Sequence, residues 1–190
     1  MKKIILGIVI CLFAVPAFAA EQPTILLGLR WGDSEDVVHK RMQELNLELL
    51  RLTIFPDIVA NSIKRKYYSG EVLGYKGRLH TGFSNGKLIR VSAFYGGYGE
   101  PVPEYFFYEI AEVLHEKYGT PKESDFNEDG LMDYHCWELT NINTFITLSV
   151  TDFEDCLIML QYNDLEFLNE IDAKDKENAR HKKQNLKNQL

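Results

Sequence analysis

Cysteine is scarce in this chain, at three in 190 residues, and Cys11 falls inside an amino-terminal apolar run. Only Cys136 and Cys156 are left to a folded domain. The four histidines ahead of the carboxy-terminal tail, His39, His80, His115 and His135, show no H-x-x-x-H or Cys-His ligand spacing, which argues against a ready-made zinc site. Basic residues are outnumbered by acidic ones, 21 to 28, and no basic stripe interleaved with aromatics offsets this. A nucleic-acid backbone is therefore an unfavourable partner. Beyond the first twenty residues no second long apolar run follows, so no transmembrane helix is expected in the mature chain. The acids are numerous, yet none stands out as a pair of the glycosidase type.

The strongest signal present is an address. Met1-Lys2-Lys3 precedes an apolar run from Ile4 to Val15, and Pro16-Ala17-Phe18-Ala19 ends in the small residues a signal peptidase accepts. Residues 1–19 read as a signal peptide cut before Ala20, which places the mature protein in the periplasm or outside the cell. Ile10 ahead of Cys11 rules out a lipid-attachment pattern, since a small residue is needed there. Without Lys2 and Lys3 the chain carries 19 basic residues against 28 acidic, a net charge near −9. An oxidising compartment favours pairing the two remaining cysteines. The strand pattern opposes it: Trp137 and Leu139 share a face with Ile146, Leu148 and Val150, which leaves Cys136 on the other face. Cys156 joins the apolar set of the following strand, two strands away and beyond the roughly 7 Å Cα limit for bridging. Both outcomes stay open.

About 45% of the residues are hydrophobic, enough for a single folded domain over residues 24–171. The expected class is α+β, with helices packed on an antiparallel sheet and the chain divided into two halves of one plan, residues 24–98 and 101–171. Each half is a helix followed by an antiparallel meander. In the first, Asp33 is the expected N-cap, Glu35 and Asp36 load the first turn, Val38, Met42 and Leu45 recur at helical spacing, and Asn46 closes the helix. Strands are expected over Leu49–Phe55, Ile63–Ser69, Leu73–Ser84 and Lys87–Tyr95, with Asn85-Gly86 as a hairpin turn. The stretch Gly96–Pro103 links the halves. A second helix runs to Tyr118, with Phe107, Ile110, Ala111 and Leu114 as its buried stripe, Phe106 and Val113 widening it, and Gly119 and Pro121 stopping it. A polar loop then leads to strands near Tyr134–Leu139, Thr144–Thr151 and Cys156–Tyr162. From Asp164 the chain turns helical, with Leu165, Leu168 and Ile171 able to dock, and residues 172–190 are expected to fray as a charged tail.

Two segments carry candidate chemistry. Asp125, Asn127, Asp129 and Asp133 reproduce the start of an oxygen-ligand calcium loop, with Gly130 allowing the tight turn. The segment resembles EF-hand and exported calcium-repeat loops, although Cys136 stands where a twelfth-position glutamate belongs. The competing reading is an acidic turn whose side chains bond their own backbone. Gly82-Phe83-Ser84-Asn85-Gly86 matches the G-x-S-x-G string of serine hydrolases, but its place in a hairpin denies the serine the strand-to-helix turn that this chemistry requires. Tyrosines crowd the middle of the chain, and strand alternation forbids them all one core. Tyr95, Tyr98 and Tyr105, around the linker, are the expected contact surface for an envelope protein partner.

The Trp31-Gly32-Asp33-Ser34 helix opening, the Asn85-Gly86-Lys87-Leu88 hairpin, and Lys117-Tyr118-Gly119-Thr120-Pro121 followed by Trp137 resemble motifs of a diffuse group of exported bacterial proteins of unknown function, over Leu26 to Asn163. The doubled helix-then-meander layout is similar to the β-lactamase-inhibitor-protein fold and to the small lipoprotein of the outer-membrane assembly machinery. That resemblance implies protein binding without catalysis. The lipoprotein's acylated cysteine has no counterpart, so anchoring does not carry over. The expected function is an exported, non-enzymatic binding or interaction module with no resident cofactor. A calcium-binding protein using residues 125–133 and an envelope hydrolase are the alternatives.

Overall fold

The structure, a computed structural model, describes residues 23–50, 63–96, 102–103, 105–126, 132–151 and 157–189. Residues 1–19, expected as a signal peptide, together with Tyr98, residues 127–131 and Cys156, lie outside the described residues.

The first helix, α1 (Glu35–Glu44), begins one residue later than expected, because Ser34 rather than Asp33 is the N-cap and its hydroxyl accepts from the Val37 N–H. Asp33 instead accepts from the Arg30 N–H at 2.8 Å, closing the turn that leads in. Val38 and Met42 are fully buried, and Asn46, at φ 57°, reverses the chain. A first meander follows: β1 (Glu48–Leu50), β2 (Lys64–Val72), β3 (Tyr75–Ser84) and β4 (Lys87–Gly96). The expected strand through Phe55 is described only to Leu50.

Both hairpins of this meander turn through two residues at positive φ, the signature of a type I′ turn. Asn85-Gly86 does so at 50° and 74°, as its composition predicts. Leu73-Gly74 does so at 53° and 84°. Leu73 is thus a turn residue rather than the start of a strand, and it holds a conformation that costs a non-glycine residue roughly 1–2 kcal/mol.

The second half repeats the plan with α2 (Tyr105–Tyr118), β5 (Glu123–Phe126), β6 (Met132–Leu139), β7 (Thr144–Thr151) and β8 (Leu157–Asp164). Gly119, at φ 81°, ends α2, its N–H donating to the His115 carbonyl at 2.8 Å. Phe106, Phe107, Ile110 and Leu114 are buried, whereas Val113 is 60% exposed, so the stripe does not widen on that side. β5 occupies part of the expected polar loop; Glu123, Ser124 and Asp125 have no apolar alternation, and pairing with β6 makes them a strand. The tail also differs, because α3 (Leu165–Gln189) runs as a helix through residues expected to fray. Its lysines, glutamates, glutamines and alanines are good helix formers, and an i,i+4 pair joins Asp172 to Lys176 at 2.6 Å.

The two meanders join edge to edge. The eight strands form one antiparallel sheet in the order β1-β2-β3-β4-β8-β7-β6-β5. The seam pairs β4 with β8, placing Val91 opposite Tyr162, Ala93 opposite Leu160 and Tyr95 opposite Ile158. The last strand of each half therefore lies at the centre and the first at an edge. One sheet face carries Tyr68, Leu79, Val91, Tyr95, Ile146, Leu148, Ile158, Leu160 and Trp137, which form one core with the buried side chains of α1 and α2. Trp31, ahead of α1, donates to the Thr144 hydroxyl of β7 at 2.9 Å and ties the halves together. By strand alternation the opposite face carries Arg65, Tyr67, Arg78, His80, Arg90, Ser92, Phe94, Gln161, Asn163, Thr147 and Cys136. Cys136 thus leaves β6 away from Trp137, as expected.

Tyr95 fits its place because Gly77 opposes it: a Cβ on Gly77 would come within 3.0 Å of the Tyr95 ring. Its hydroxyl has no hydrogen-bond partner among the described residues, and burial pushes its pKa well up. A buried hydroxyl without a partner costs about 1–3 kcal/mol. Tyr95→Phe should therefore raise unfolding free energy by about 1 kcal/mol in urea melts, and a loss of stability would show that the hydroxyl is satisfied.

Candidate functional site between the two halves

A pocket of about 460 Å³ opens where the amino-terminal turn, the β2–β3 hairpin and α2 meet. Ile25, Leu26 and Leu27 form one wall, Leu73 and Tyr75 a second, and α2 the third, through Phe106, Glu109, Ile110, Val113, Leu114 and Lys117. Leu160 and Tyr162 from β8 complete the lining. Residues of both halves contribute, so the pocket depends on the seam between β4 and β8.

Local backbone explains how these leucines come to face one space. Leu27, at φ 60°, sits in a turn closed by the Ile25 N–H donating to the Leu29 carbonyl at 2.8 Å. The Arg41 guanidinium, from α1, donates to the Leu27 carbonyl at 3.0 Å and holds the turn in place. Leu73 and Leu27 are thus both left-handed leucines, and both line the pocket. Leu73 is 48% exposed and Val113 60% exposed, which makes an apolar rim.

The polar groups at this site are few. Tyr75 lies against Phe106 with ring centroids 3.7 Å apart and reaches Glu109 with its hydroxyl at 3.5 Å. Its pKa is pushed up to about 12, first by the hydrogen bond with Tyr105, then by burial and the Glu109 charge. Burial and the Tyr118 hydroxyl push Tyr162 upward. Lys117 stands over the Tyr118 ring at 4.9 Å. The arrangement presents apolar surface with one carboxylate and one ammonium at its edge. Sequence reading did not find this site. Its one visible signal was a leucine before Gly74 where a hairpin favours asparagine.

Of the residues expected to meet a partner, Tyr105 is 56% exposed at the start of α2, close to the pocket. Tyr95 is fully buried against Phe106 (ring centroids 4.9 Å apart), so its side chain offers no surface to a partner. Tyr98 lies outside the described residues. The acidic segment is described only at its ends: Asp125 pairs with Tyr134, and Asp133 with Phe126. Alternation then sends the Asp125 and Asp133 side chains to opposite faces of the hairpin, while Asn127 and Asp129 lie outside the described residues. Among the described residues no three His, Cys, Asp or Glu side chains are grouped to hold a metal. Ser84 ends β3, paired with Lys87 across the Asn85-Gly86 hairpin turn.

The histidines are dispersed. His115 and His135 share a smaller cavity of about 240 Å³ with Ala111, Glu112, Pro121 and Trp137. There the Ser124 hydroxyl meets His135 Nδ1 at 2.8 Å across the β5–β6 pair, and the His135 ring stacks on Phe107 at 5.5 Å. Burial holds the His135 pKa down. Comparison with family models, curated proteins and solved structures finds no match to this chain.

Proposed function

We propose that this chain is an exported, non-enzymatic binding module that holds an apolar ligand in the pocket between its halves. The export address rests on residues 1–19. The binding role rests chiefly on the two hairpin turns of the first meander. Both are two-residue type I′ turns, and one uses Asn-Gly, the residues that suit it. The other places leucine at the same strained position, at a cost of roughly 1–2 kcal/mol, and aims that leucine into the pocket. Strain of this kind gathers where a binding surface needs it. The volume, about 460 Å³, falls in the range of small-molecule sites.

Leu73→Asn separates the two roles. Copying the Asn-Gly pair should raise unfolding free energy by about 1 kcal/mol, while removing apolar contact from the pocket. Binding of N-phenyl-1-naphthylamine, a neutral apolar fluorophore, should weaken roughly tenfold. No saturable fluorescence with the unmodified protein, or equal affinity in the variant, overturns the proposal.

A further inference from the structure

We propose that Arg65 and Arg90, flanking Gly82 in one row across β2, β3 and β4, bind an oxyanion, the carboxylate or phosphate group of a ligand, on the sheet face away from α1 and α2.

The row follows from the register. Arg65 pairs with Gly82, which pairs with Arg90, so the two arginines leave the same face two strands apart, about 10 Å between Cα atoms. Gly82 itself carries no side chain between them; a Cβ there would come within 3.2 Å of the Arg90 Cβ and 3.3 Å of the Ile63 Cγ2, so these two neighbours close over the glycine. Arg90 is half-buried and oriented, its Nε donating to Asn163 Oδ1 at 2.8 Å. Asn163 in turn accepts from Gln161 Nε2 at 3.1 Å, and Ser92 donates to Gln161 Oε1 at 3.2 Å. This chain of side chains engages the Nε of Arg90 and fixes the guanidinium beside β8.

Neither arginine has a carboxylate partner among the described residues, although acids outnumber bases in the chain. The contrast along β2 is direct. Lys64 and Lys66, on the helix-bearing face, both pair with Glu35, at 2.7 and 3.2 Å. Arg65, between them, points the other way. The carboxylate in its row, Glu138, stands three strands beyond Arg90 and is engaged by Lys122. Next along the same face, His80 lies between the rings of Tyr67, at 4.5 Å, and Phe94, at 4.3 Å, with Arg78 beyond it. Burial and the Arg65 charge both push the Arg90 pKa down, the condition that a bound anion would relieve. Guanidinium forks match oxyanions in two-point hydrogen bonding, and the half-buried Arg90 gains more from one than a fully solvated guanidinium does.

The test is a titration of the full chain with orthophosphate, and separately with citrate, at ionic strength held constant with sodium chloride. The Nε–H resonances of Arg65 and Arg90 report binding by NMR. Saturable shifts in both are expected, with affinity falling at least tenfold in Arg65→Gln and in Arg90→Gln. Lys87→Gln, on the exposed β3–β4 hairpin, should bind as the unmodified protein does. Tighter phosphate binding assigns the site to a phosphorylated ligand and tighter citrate binding to a carboxylate; either supports an oxyanion site. Arg65 is exposed, so its replacement leaves the fold intact and the result readable even if Arg90→Gln loosens the sheet. No saturation below 50 mM with either anion, at a detection limit of that order for weak oxyanion contacts, overturns the proposal; so does unchanged affinity in Arg65→Gln.

Discussion

Phe107→Ala should cost about 3–5 kcal/mol of unfolding free energy, the range for truncating a fully buried phenylalanine. Phe107 has no exposed surface. It packs between the Tyr108 ring, at 5.3 Å, and the His135 ring, at 5.5 Å, so it joins α2 to the second half of the sheet. A domain of this size holds only about 5–15 kcal/mol in total, so the loss is a large share. It should lower Tm by roughly 10–15 °C. Urea unfolding and calorimetry measure both quantities. Phe107→Leu, which keeps most of the volume, should lose far less. Binding should fall with stability, because α2 supplies six of the pocket-lining side chains. A cost under about 1 kcal/mol would mean that α2 does not dock on the sheet as described.

The second large effect is acid lability through His80. Burial, then the charges of Arg78 and Arg65, push its pKa down to about 4 from 6.5. Below pH 6.5 the unfolded chain takes up this proton while the native chain does not. Stability therefore rises with pH between about 4 and 6.5, and is lost as pH falls through that window. The full shift would be worth about 3 kcal/mol, and partial solvent access reduces this to about 2. His80→Phe keeps an aromatic ring between Tyr67 and Phe94 and removes the titration. The difference in unfolding free energy between variant and unmodified protein should therefore grow by about 2 kcal/mol from pH 7 to pH 4. Carboxylates titrating in the same range contribute to both proteins and cancel. A difference that stays constant with pH would place His80 in solvent-like surroundings.

Both predictions depend on contacts between parts of the chain far apart in sequence, and these were the least legible. Local features read well. Val38 and Met42 in α1, Ile110 and Leu114 in α2, the Asn85-Gly86 turn and the Gly119 stop each follow from periodicity or backbone preference within a few residues. The misses have physical causes. Glu123–Phe126 became a strand because β6 offered an edge, not through any alternation of its own. Leu73 took a turn position that its residue type disfavours, because Val72 and Tyr75 pair across it. The stretch past Ile171 keeps helix-forming composition after its apolar period ends, and composition alone was enough for a helix.

The amino-acid sequence by itself determined two helix-then-meander units, since alternation, capping and positive-φ turn residues act within a few positions. It also determined the alternation that sends Trp137 and Cys136 to opposite faces. Only the tertiary structure decided that β4 and β8 meet at the centre of one sheet, because the choice among strand edges depends on which apolar faces can be buried together. That same seam brings Leu27, Leu73, Val113 and Leu160 around one pocket, drawn from segments that carry no common motif. It also places Asn163 of β8 against Arg90 of β4, orienting that guanidinium through a contact between residues 73 positions apart.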